Sequence, residues 1–498
     1  MELQFEKTVV PCLRTVVREM QAQELTQEVR LMDGMPDIGK VLASWGQILI
    51  RGKQWHNGMA GVNGGIMVWV LYLPEEGNEP QSVETWIPFQ CKWDVSNATR
   101  DGNICIEPFL RGVDARSLSA RKLMVRAGMG VLGEATVPSE AEFYTPGDLP
   151  EDVQLLRNTY AVQLPVEAGE KPIMLDEMLT LPTSSPELSR LVRYSLRPEL
   201  IDKKVVADKV VMRGACAVNA LYMGTDERLH NWDFEIPFSQ YAQLDKEHET
   251  SSDAEIKLAV TDLEMEQTEN GLQLKAGMTG QYTIYDRPVF EVVEDAYSPR
   301  REIAVRTTRS DYPAVLDMSA QTVSAQQQAE TDVQEIVDLS FYPDYPLAMR
   351  DGDAVNAQLS GMFQVLGYDQ SGQLRSATAH WEDDWSLPVD ENARVELSAQ
   401  QTGDGQASAN GSVANMHADL RINSKTFTNE GMKVVSGLDM GEMKEQDTNR
   451  PSLILRRAGD ERLWDIAKST GSTVAAIMGA NELEQEPESD QILLIPVS

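Results

Sequence analysis

Basic residues are scarce in this chain. Its 498 residues include 44 Lys and Arg against 78 Asp and Glu, which gives a net charge of −34. Such a surface repels nucleic acid and anionic lipid, so we exclude both as primary partners. A basic protein surface or a divalent cation fits this charge better, although acidic residues also serve solubility.

Cysteine and histidine are few as well. Cys12, Cys91, Cys105 and Cys216 are widely spaced, which is typical of reduced cytosolic thiols. None of the five histidines has a second His or Cys at metal-ligand spacing. Signatures of P-loop enzymes, zinc proteases, serine hydrolases and protein kinases are missing. The sequence therefore predicts a protein that is not an enzyme, with no catalytic residue, no metal and no cofactor.

Long apolar runs are missing too. A membrane-spanning helix needs about 18 or more consecutive apolar residues, and the sequence contains no such run. Residues 1–7 do not combine a basic region with a following apolar region, so we expect no signal peptide. These features predict a cytoplasmic protein.

An internal repeat dominates what is present. The apolar stretch 64–73 returns at 214–223, and Ile-Pro-Phe at 87–89 returns at 236–238. Ala-Gly-Met at 127–129 returns at 276–278, and Pro36 corresponds to Pro186. Every landmark recurs after 149 or 150 residues. A third, degenerate copy follows, in which 361–368, 381–388 and 436–438 stand for the same landmarks.

The copies have the pattern of β-structure. Ile256, Leu258 and Val260 alternate with polar residues, which is typical of strands with one buried face. Asn270-Gly271 is a turn signal between two such runs. We therefore predict a mainly β chain with three sandwich-like domains at residues 1–140, 173–300 and 330–445. We expect connectors at 134–172, 300–332 and 441–451, and a mobile loop at 401–412.

The pattern changes near residue 452. Residues 453–455 and 492–496 are apolar strands, and residues 463–469 have helical apolar spacing. Thr473 or Ser472 precedes a second helical segment at 474–478. The sequence thus predicts a small strand–helix–helix–strand domain at 452–498.

This C-terminal segment resembles the LysM family. The matching stretches are 463–468, 471–474, Asn481 and 491–496, in the family's order. The resemblance implies a βααβ domain that binds N-acetylglucosamine-containing glycan in a groove between loops 459–463 and 478–491. The groove residues that it implies, for a glycan or a protein ligand, are Asp460, Glu461, Arg462, Leu463, Met478, Asn481, Asp490 and Gln491.

Two departures from LysM shift the expected ligand. The first loop is one residue longer than usual, and Asp490 stands where the family has glycine. The second loop also carries five acidic residues, at 482, 484, 486, 488 and 490. A neutral glycan does not need this charge, whereas a basic protein surface is attracted by it.

The repeats together with this C-terminus resemble SPOCS-domain spore-coat proteins of the SipL type. The residues that carry the likeness are the strands ending at Tyr72 and Tyr222, and Ile-Pro-Phe at 87–89 and 236–238. The resemblance implies a non-catalytic coat-assembly protein in the mother-cell cytoplasm, at the forespore surface. It also implies a partner, a morphogenetic ATPase of the coat basement layer.

Two other interpretations stay open. One is a peptidoglycan-binding anchor, and the other is an enzyme with an unrecognised site. The motif Gly128-Met129-Gly130-Val131-Leu132-Gly133 fits a dinucleotide-binding pattern, but an extended segment follows it where a helix is needed. Close strand packing explains these glycines better.

Overall fold

The chain is built almost entirely from strands. The computed structural model describes residues 2–497 except 78, 99, 270, 311–313, 391–392, 429–431, 444–450 and 460. Most described residues lie in strands, and two short helices lie near the C-terminus. The predicted mainly β fold class is confirmed. Neither helix among the described residues has the length and apolar character that crossing a membrane requires.

The first unit follows a short initial strand. The strands are β1 (Glu2–Gln4), β2 (Glu6–Arg30), β3 (Ile38–His56), β4 (Met59–Pro74), β5 (Gln81–Asp94), β6 (Asn103–Ser119) and β7 (Lys122–Thr145). β2, β7 and β6 form one antiparallel sheet, and β3, β4 and β5 form a second. β5 shows why they pack: Ile87, Phe89, Cys91 and Trp93 are buried and alternate with exposed residues.

Side-chain hydrogen bonds join the two sheets along both of their edges. Gln23 Nε2 on β2 donates to the Gln90 carbonyl on β5 at 2.8 Å. On the other margin, Ser44 Oγ on β3 donates to the Val113 carbonyl on β6 at 2.8 Å. The unit is therefore a sandwich, and these side chains link the edge strands of its two sheets.

The second unit repeats this order. β8 (Gln154–Ala161) precedes it, and its strands are β9 (Leu164–Leu179), β10 (Leu188–Gly224), β11 (Leu229–His248), β12 (Asp253–Thr268) and β13 (Gly271–Asp286). β9, β13 and β12 form one sheet, and β10 pairs with β11. β10 contains the equivalents of both β3 and β4, and Ala207 lies at φ 50° where they join. Asn270 of the predicted turn lies outside the described residues.

The repeated Pro and Tyr landmarks contact each other in both units. Tyr72 donates from its hydroxyl to the Pro36 carbonyl at 3.0 Å. Tyr222 does the same to the Pro186 carbonyl at 3.4 Å. These tyrosines are buried, and their hydroxyls hold the segment that enters β3 or β10. The landmark spacing in the sequence thus reflects one repeated contact.

The third unit has the same scheme with one added strand. After β14 (Val289–Tyr297) and β15 (Arg301–Ser310) come β16 (Ala314–Glu330), β17 (Glu335–Pro343), β18 (Leu347–Asp351), β19 (Ala354–Tyr368), β20 (Leu374–Pro388), β21 (Ala393–Asn410) and β22 (Val413–Thr428). β16, β22 and β21 form one sheet. β19 pairs with β17, β18 and β20 in the other.

Most of 134–172, 300–332 and 401–412 forms strands, so the prediction of irregular structure and of a mobile loop in these three stretches is wrong. β7 and β9 occupy much of 134–172, and β15 and β16 occupy most of 300–332. β16 is polar because it lies at a sandwich margin, where Gln321 Oε1 accepts from Trp385 Nε1 of β20 at 3.1 Å. β21 includes most of 401–412, and Gly403 N donates to Glu199 at 2.8 Å. Of the connector at 441–451, residues 444–450 lie outside the described part.

The strands that lie between the three units form a further layer. After β22 comes β23 (Met432–Met443), which pairs with β1 on one side and β15 on the other. β8 and β14 form a two-stranded sheet that packs near it. We call β1, β8, β14, β15 and β23 the collar. Its core includes Phe5, Val293, Val435 and Leu438, all buried.

The C-terminal module consists of β24 (Leu453–Arg457), α1 (Leu463–Thr470), α2 (Val474–Asn481) and β25 (Ile492–Pro496). α1 ends at Gly471, whose φ of 69° suits glycine. α2 begins after Thr473, whose side chain accepts from Ala476 N at 3.1 Å. Ile466, Ile477, Leu493 and Ile495 form a fully buried core between the helices and the two strands.

Candidate functional site

The two loops predicted to flank a groove in the C-terminal module lie side by side. Ala458 N donates to the Gln491 carbonyl at 2.8 Å, and Asp490 N donates to the Ala458 carbonyl at 2.8 Å. Glu486 reaches across from the second loop, where its Oε2 accepts from Leu463 N at 2.8 Å. This carboxylate therefore caps the start of α1 between the loops.

Three of the predicted groove residues hold the module together. Asn481 Nδ2 donates to the carbonyls of Ile477 and Leu494 at 2.7 Å, and its Oδ1 accepts from Leu494 N at 2.7 Å. Its side chain thus fastens the end of α2 to β25. Leu463 is buried and Met478 packs against the module core.

The remaining predicted residues lie at the surface. Glu461 pairs with Arg456, and Arg462 Nε lies 3.4 Å from Asp465. Asp490 lies 3.5 Å from Arg457. Gln491 Oε1 accepts a hydrogen bond from Glu488 N at 3.1 Å. Asp460 lies outside the described residues. The exposed groove wall is therefore charged, with each described charge beside an opposite one.

Backbone geometry explains one departure from the LysM pattern. Asp490 has a φ of 70°, in the left-handed region where glycine is favoured. Glu482, which follows α2, has a φ of 55° in the same region. Both acidic residues therefore occupy positions at which a side chain costs stability.

The acidic loop is open to solvent beyond these contacts. Glu482, Glu484, Glu486, Glu488 and Asp490 are all exposed. On the two-stranded sheet, Leu453, Leu455 and Ile492 are exposed as well. The module thus presents negative charge and apolar side chains on surfaces that the rest of the described chain does not cover.

Sequence reasoning missed three residues around this module. Glu486 was recognised only as part of the acidic loop, and nothing in its spacing indicated a helix cap. Asp295 and Tyr297 of the collar contact α1, yet they lie far from it in sequence. No local sequence pattern could have identified them, because the contact depends on how distant parts of the chain pack together.

A second polar region lies where the three units meet. The ionic ring there takes two residues from each unit: Arg18 and Glu134, Glu255 and Lys257, Glu396 and Lys425. Lys425 Nζ lies 2.9 Å from Glu396, 3.1 Å from Glu255 and 3.7 Å from Glu134. Arg18 Nε lies 3.2 Å from Glu396. The ring joins every unit to the other two.

The ring perturbs its own members. Burial alone would raise the pKa of Glu255 and of Glu134, but Lys425 and Lys257 outweigh it and hold both below the usual range. Burial disfavours the charge on Lys425, yet the surrounding carboxylates raise its pKa well above the ordinary value. Glu134, Glu255 and Lys425 therefore stay charged near neutral pH.

Asp338 forms a second contact among all three units. Its carboxylate lies 2.9 Å from Arg193 of the second unit and accepts from Trp45 Nε1 of the first at 3.1 Å. The Arg193 guanidinium also lies over the Trp45 ring, 5.0 Å from its centroid. Two adjoining cavities of about 360 and 400 Å³ separate this contact from the ionic ring. Both cavities are lined by residues of every unit.

The glycine motif at 128–133 lies inside strand β7, not before a helix. A Cβ on Gly133 would lie 2.4 Å from the Trp93 ring, and one on Gly130 would lie 2.1 Å from Phe109. These glycines admit aromatic rings against the strand. Across the part of the chain that the structure describes, no three His, Cys, Asp or Glu side chains are grouped to hold a metal ion.

A comparison with family models identifies one part of the chain. The model described as SipL, SPOCS domain matches residues 187–268, which cover β10, β11 and β12 of the second unit. The match supports the SPOCS-domain family and suggests a role in sporulation. Neither a search of curated proteins nor a search of solved structures gave a match.

Proposed function

We propose that this chain is a non-catalytic adaptor in spore-coat morphogenesis that docks a coat-basement protein through a LysM-type C-terminal module. The match of residues 187–268 to the SPOCS domain carries the proposal. The common strand order of the three units supports extending the SPOCS assignment to all of them. The strand–helix–helix–strand order of the module supports the LysM assignment.

The chemistry of the module favours a protein ligand. Its exposed acidic loop attracts a basic surface, and the exposed Leu453, Leu455 and Ile492 add apolar area that a protein contact can bury. The partner that this family implies is a morphogenetic ATPase of the coat basement layer. The site of action would then be the mother-cell cytoplasm, at the forespore surface.

Peptidoglycan is the alternative ligand. The groove between the module's loops is crossed by Glu486, whose carboxylate is bound to Leu463 N. A glycan lying there would meet this charge and the neighbouring acidic residues. We therefore rank the protein ligand first and use glycan binding as a separate outcome of the test.

The experiment uses the full chain and a chain that lacks residues 452–498, each carrying a fluorescent tag. Both are produced in a sporulating endospore-former from which the native gene has been deleted. We expect the full chain to encircle the forespore and restore the coat, and the truncated chain to do neither. Equal coat assembly by the two chains would reject the docking role.

A glycan test runs in parallel. The purified full chain is mixed with peptidoglycan sacculi and with chitin, with and without N-acetylglucosamine oligomers. Retention in the supernatant is expected for the adaptor. Pelleting that the oligomers abolish would favour the anchor, and a Glu486→Gln variant with stronger pelleting would locate it in the groove.

A further inference from the structure

The C-terminal module is docked on the collar through a bulge in β14. The pairing of β14 with β8 shifts register between Val293 and Asp295. Such a bulge redirects the side chain that follows it. Asp295 accepts from Trp464 Nε1 at 2.9 Å and from Lys468 Nζ at 2.6 Å, both on α1.

Tyr297 makes the second half of this contact. Its ring meets Trp464 edge-on, with centroids 4.7 Å apart and planes at 73°. Its hydroxyl donates to the Ser472 carbonyl at 3.0 Å. Burial raises the pKa of Tyr297 to about 12, so the hydroxyl keeps its proton. Two residues of one strand, Asp295 and Tyr297, thus contact the Trp464 indole, the Lys468 ammonium and the Ser472 carbonyl.

Most of the module's core comes from its own elements, although Tyr297 and Leu156 of the collar also pack against it. Ile466, Ala467, Ile477, Leu493 and Ile495 are fully buried among the module's elements. Leu453, Leu455 and Ile492 of the module's sheet, and its acidic loop, remain exposed while the module is docked. An interface of so few side chains can therefore open without unfolding either side.

We propose that the Trp464–Lys468 face of α1 is a binding site for extended Asp-x-aromatic segments, occupied within the chain by Asp295 and Tyr297. The specificity follows from the contacts: the carboxylate satisfies Lys468 and the indole N–H, and the aromatic ring covers Trp464. A protein partner that presents the same pair on an edge strand competes with β14 for this face. That competition rests on the proposed docking role, whereas the site itself does not.

The site can be tested without any spore protein. The probe is a labelled synthetic peptide of residues 288–299, and its binding to full-length chains is followed by fluorescence anisotropy. The native chain should bind it weakly, because its own β14 fills the site. Asp295→Asn should open the site and strengthen binding by roughly tenfold or more, since a charge-assisted contact is lost.

Three controls make the result decisive. Glu291→Gln changes a charge elsewhere on β14, where Glu291 pairs with Arg157 at the surface, and should leave binding unchanged. Combining Lys468→Met with Asp295→Asn should abolish the gain. A peptide with its aspartate and tyrosine replaced by Asn and Ala should not bind the opened chain.

Hydrogen exchange reports the same event within the chain. Amides of residues 463–473 should exchange roughly tenfold faster in Asp295→Asn than in Glu291→Gln. Equal exchange together with equal peptide binding would overturn the proposal. Peptide binding with no effect of Asp295→Asn on coat assembly would keep the site and reject its competition with a partner.

Discussion

The indole of Trp45 donates to the carboxylate of Asp338 over 3.1 Å, although 293 residues separate them. Trp45 lies on β3 of the first unit and Asp338 on β17 of the third. Arg193 of the second unit completes the contact, and the side chains of Arg193 and Asp338 are at most 5% exposed. One buried carboxylate therefore contacts both other units and, together with the ionic ring, holds the three units together.

Replacing Asp338 with asparagine should lower the free energy of unfolding of the three packed units. The change leaves the guanidinium of Arg193 buried without its counter-charge, which costs about 3–5 kcal/mol. Urea unfolding at neutral pH measures the loss. Asp384→Asn makes the same change at an exposed position of the third unit and should stay within about 0.5 kcal/mol of the native chain. Similar midpoints for the two variants would contradict this role.

The ionic ring predicts energetic coupling between units. Lys425→Met removes the one cation that contacts Glu134, Glu255 and Glu396 together and leaves only Arg18 and Lys257 to balance them. The change should cost about 3–5 kcal/mol. Adding Glu134→Gln should recover part of this, with a coupling energy of about 0.5–3 kcal/mol. Lys122→Met, which removes a surface pair with Glu28, should cost at most about 1 kcal/mol. Additive effects of Lys425→Met and Glu134→Gln would show that the ring does not act as a unit.

Acid should weaken the ionic contacts between the units. Glu134 and Glu255 have pKa values held below their ordinary value of 4.5, so they contribute stability above that pH. The contribution is lost as pH falls below about 4.5 and through the folded pKa of each group. Melting temperatures measured from pH 7 to pH 3 should fall steeply in this window. Glu255→Gln should be less stable at pH 7 and show a shallower fall.

Glycine is required where β7 meets aromatic rings. Gly133→Ala places a methyl 2.4 Å from the ring of Trp93, which is 1% exposed and held by a hydrogen bond to the Glu19 carbonyl. We expect a loss of about 1–3 kcal/mol in the free energy of unfolding. Gly128→Ala has its nearest neighbour at 3.5 Å and should change stability by less than about 0.5 kcal/mol. Equal losses would show that packing is not the reason for the motif.

The end of α2 offers a stabilising change. Glu482 adopts a φ of 55°, so Glu482→Gly should relieve strain and stabilise the module by about 0.5–1 kcal/mol. Hydrogen exchange of the amides of residues 474–481 measures the local stability of α2. Glu484→Gly removes the same charge at a residue without a positive φ and should give no gain. Faster exchange in Glu482→Gly would refute the argument.

The three-unit pattern was accessible from sequence because each landmark marks a contact that recurs. Tyr72 and Tyr222 bind the carbonyl of the proline that lies 36 residues earlier. In the third copy, Tyr368 instead accepts from Leu229 N of the second unit at 2.7 Å. The third copy lacks the proline–tyrosine contact because its tyrosine serves an interface between units.

The connectors were mispredicted because polar composition has two causes. Residues 319–330 are rich in Gln and Ala, which is typical of a linker, yet β16 needs polar side chains at a sandwich margin. Gln321 meets Trp385 of β20 there, and Ala325, four residues further along the same face, is fully buried. The contact between α1 and Asp295 could not be predicted from the sequence either. It depends on a bulge in β14 and on packing between segments that are distant in sequence.

The collar gives the molecule an order of assembly. β1 begins at Glu2 but pairs with β23, where Glu2 lies opposite Asp439. A ribosome must therefore release most of the chain before its first strand finds a partner, and such long-range pairing is slow. The first sandwich can form early, whereas the collar closes last. The module, synthesised after β23, then meets Asp295 and Tyr297 on β14, a strand already paired with β8.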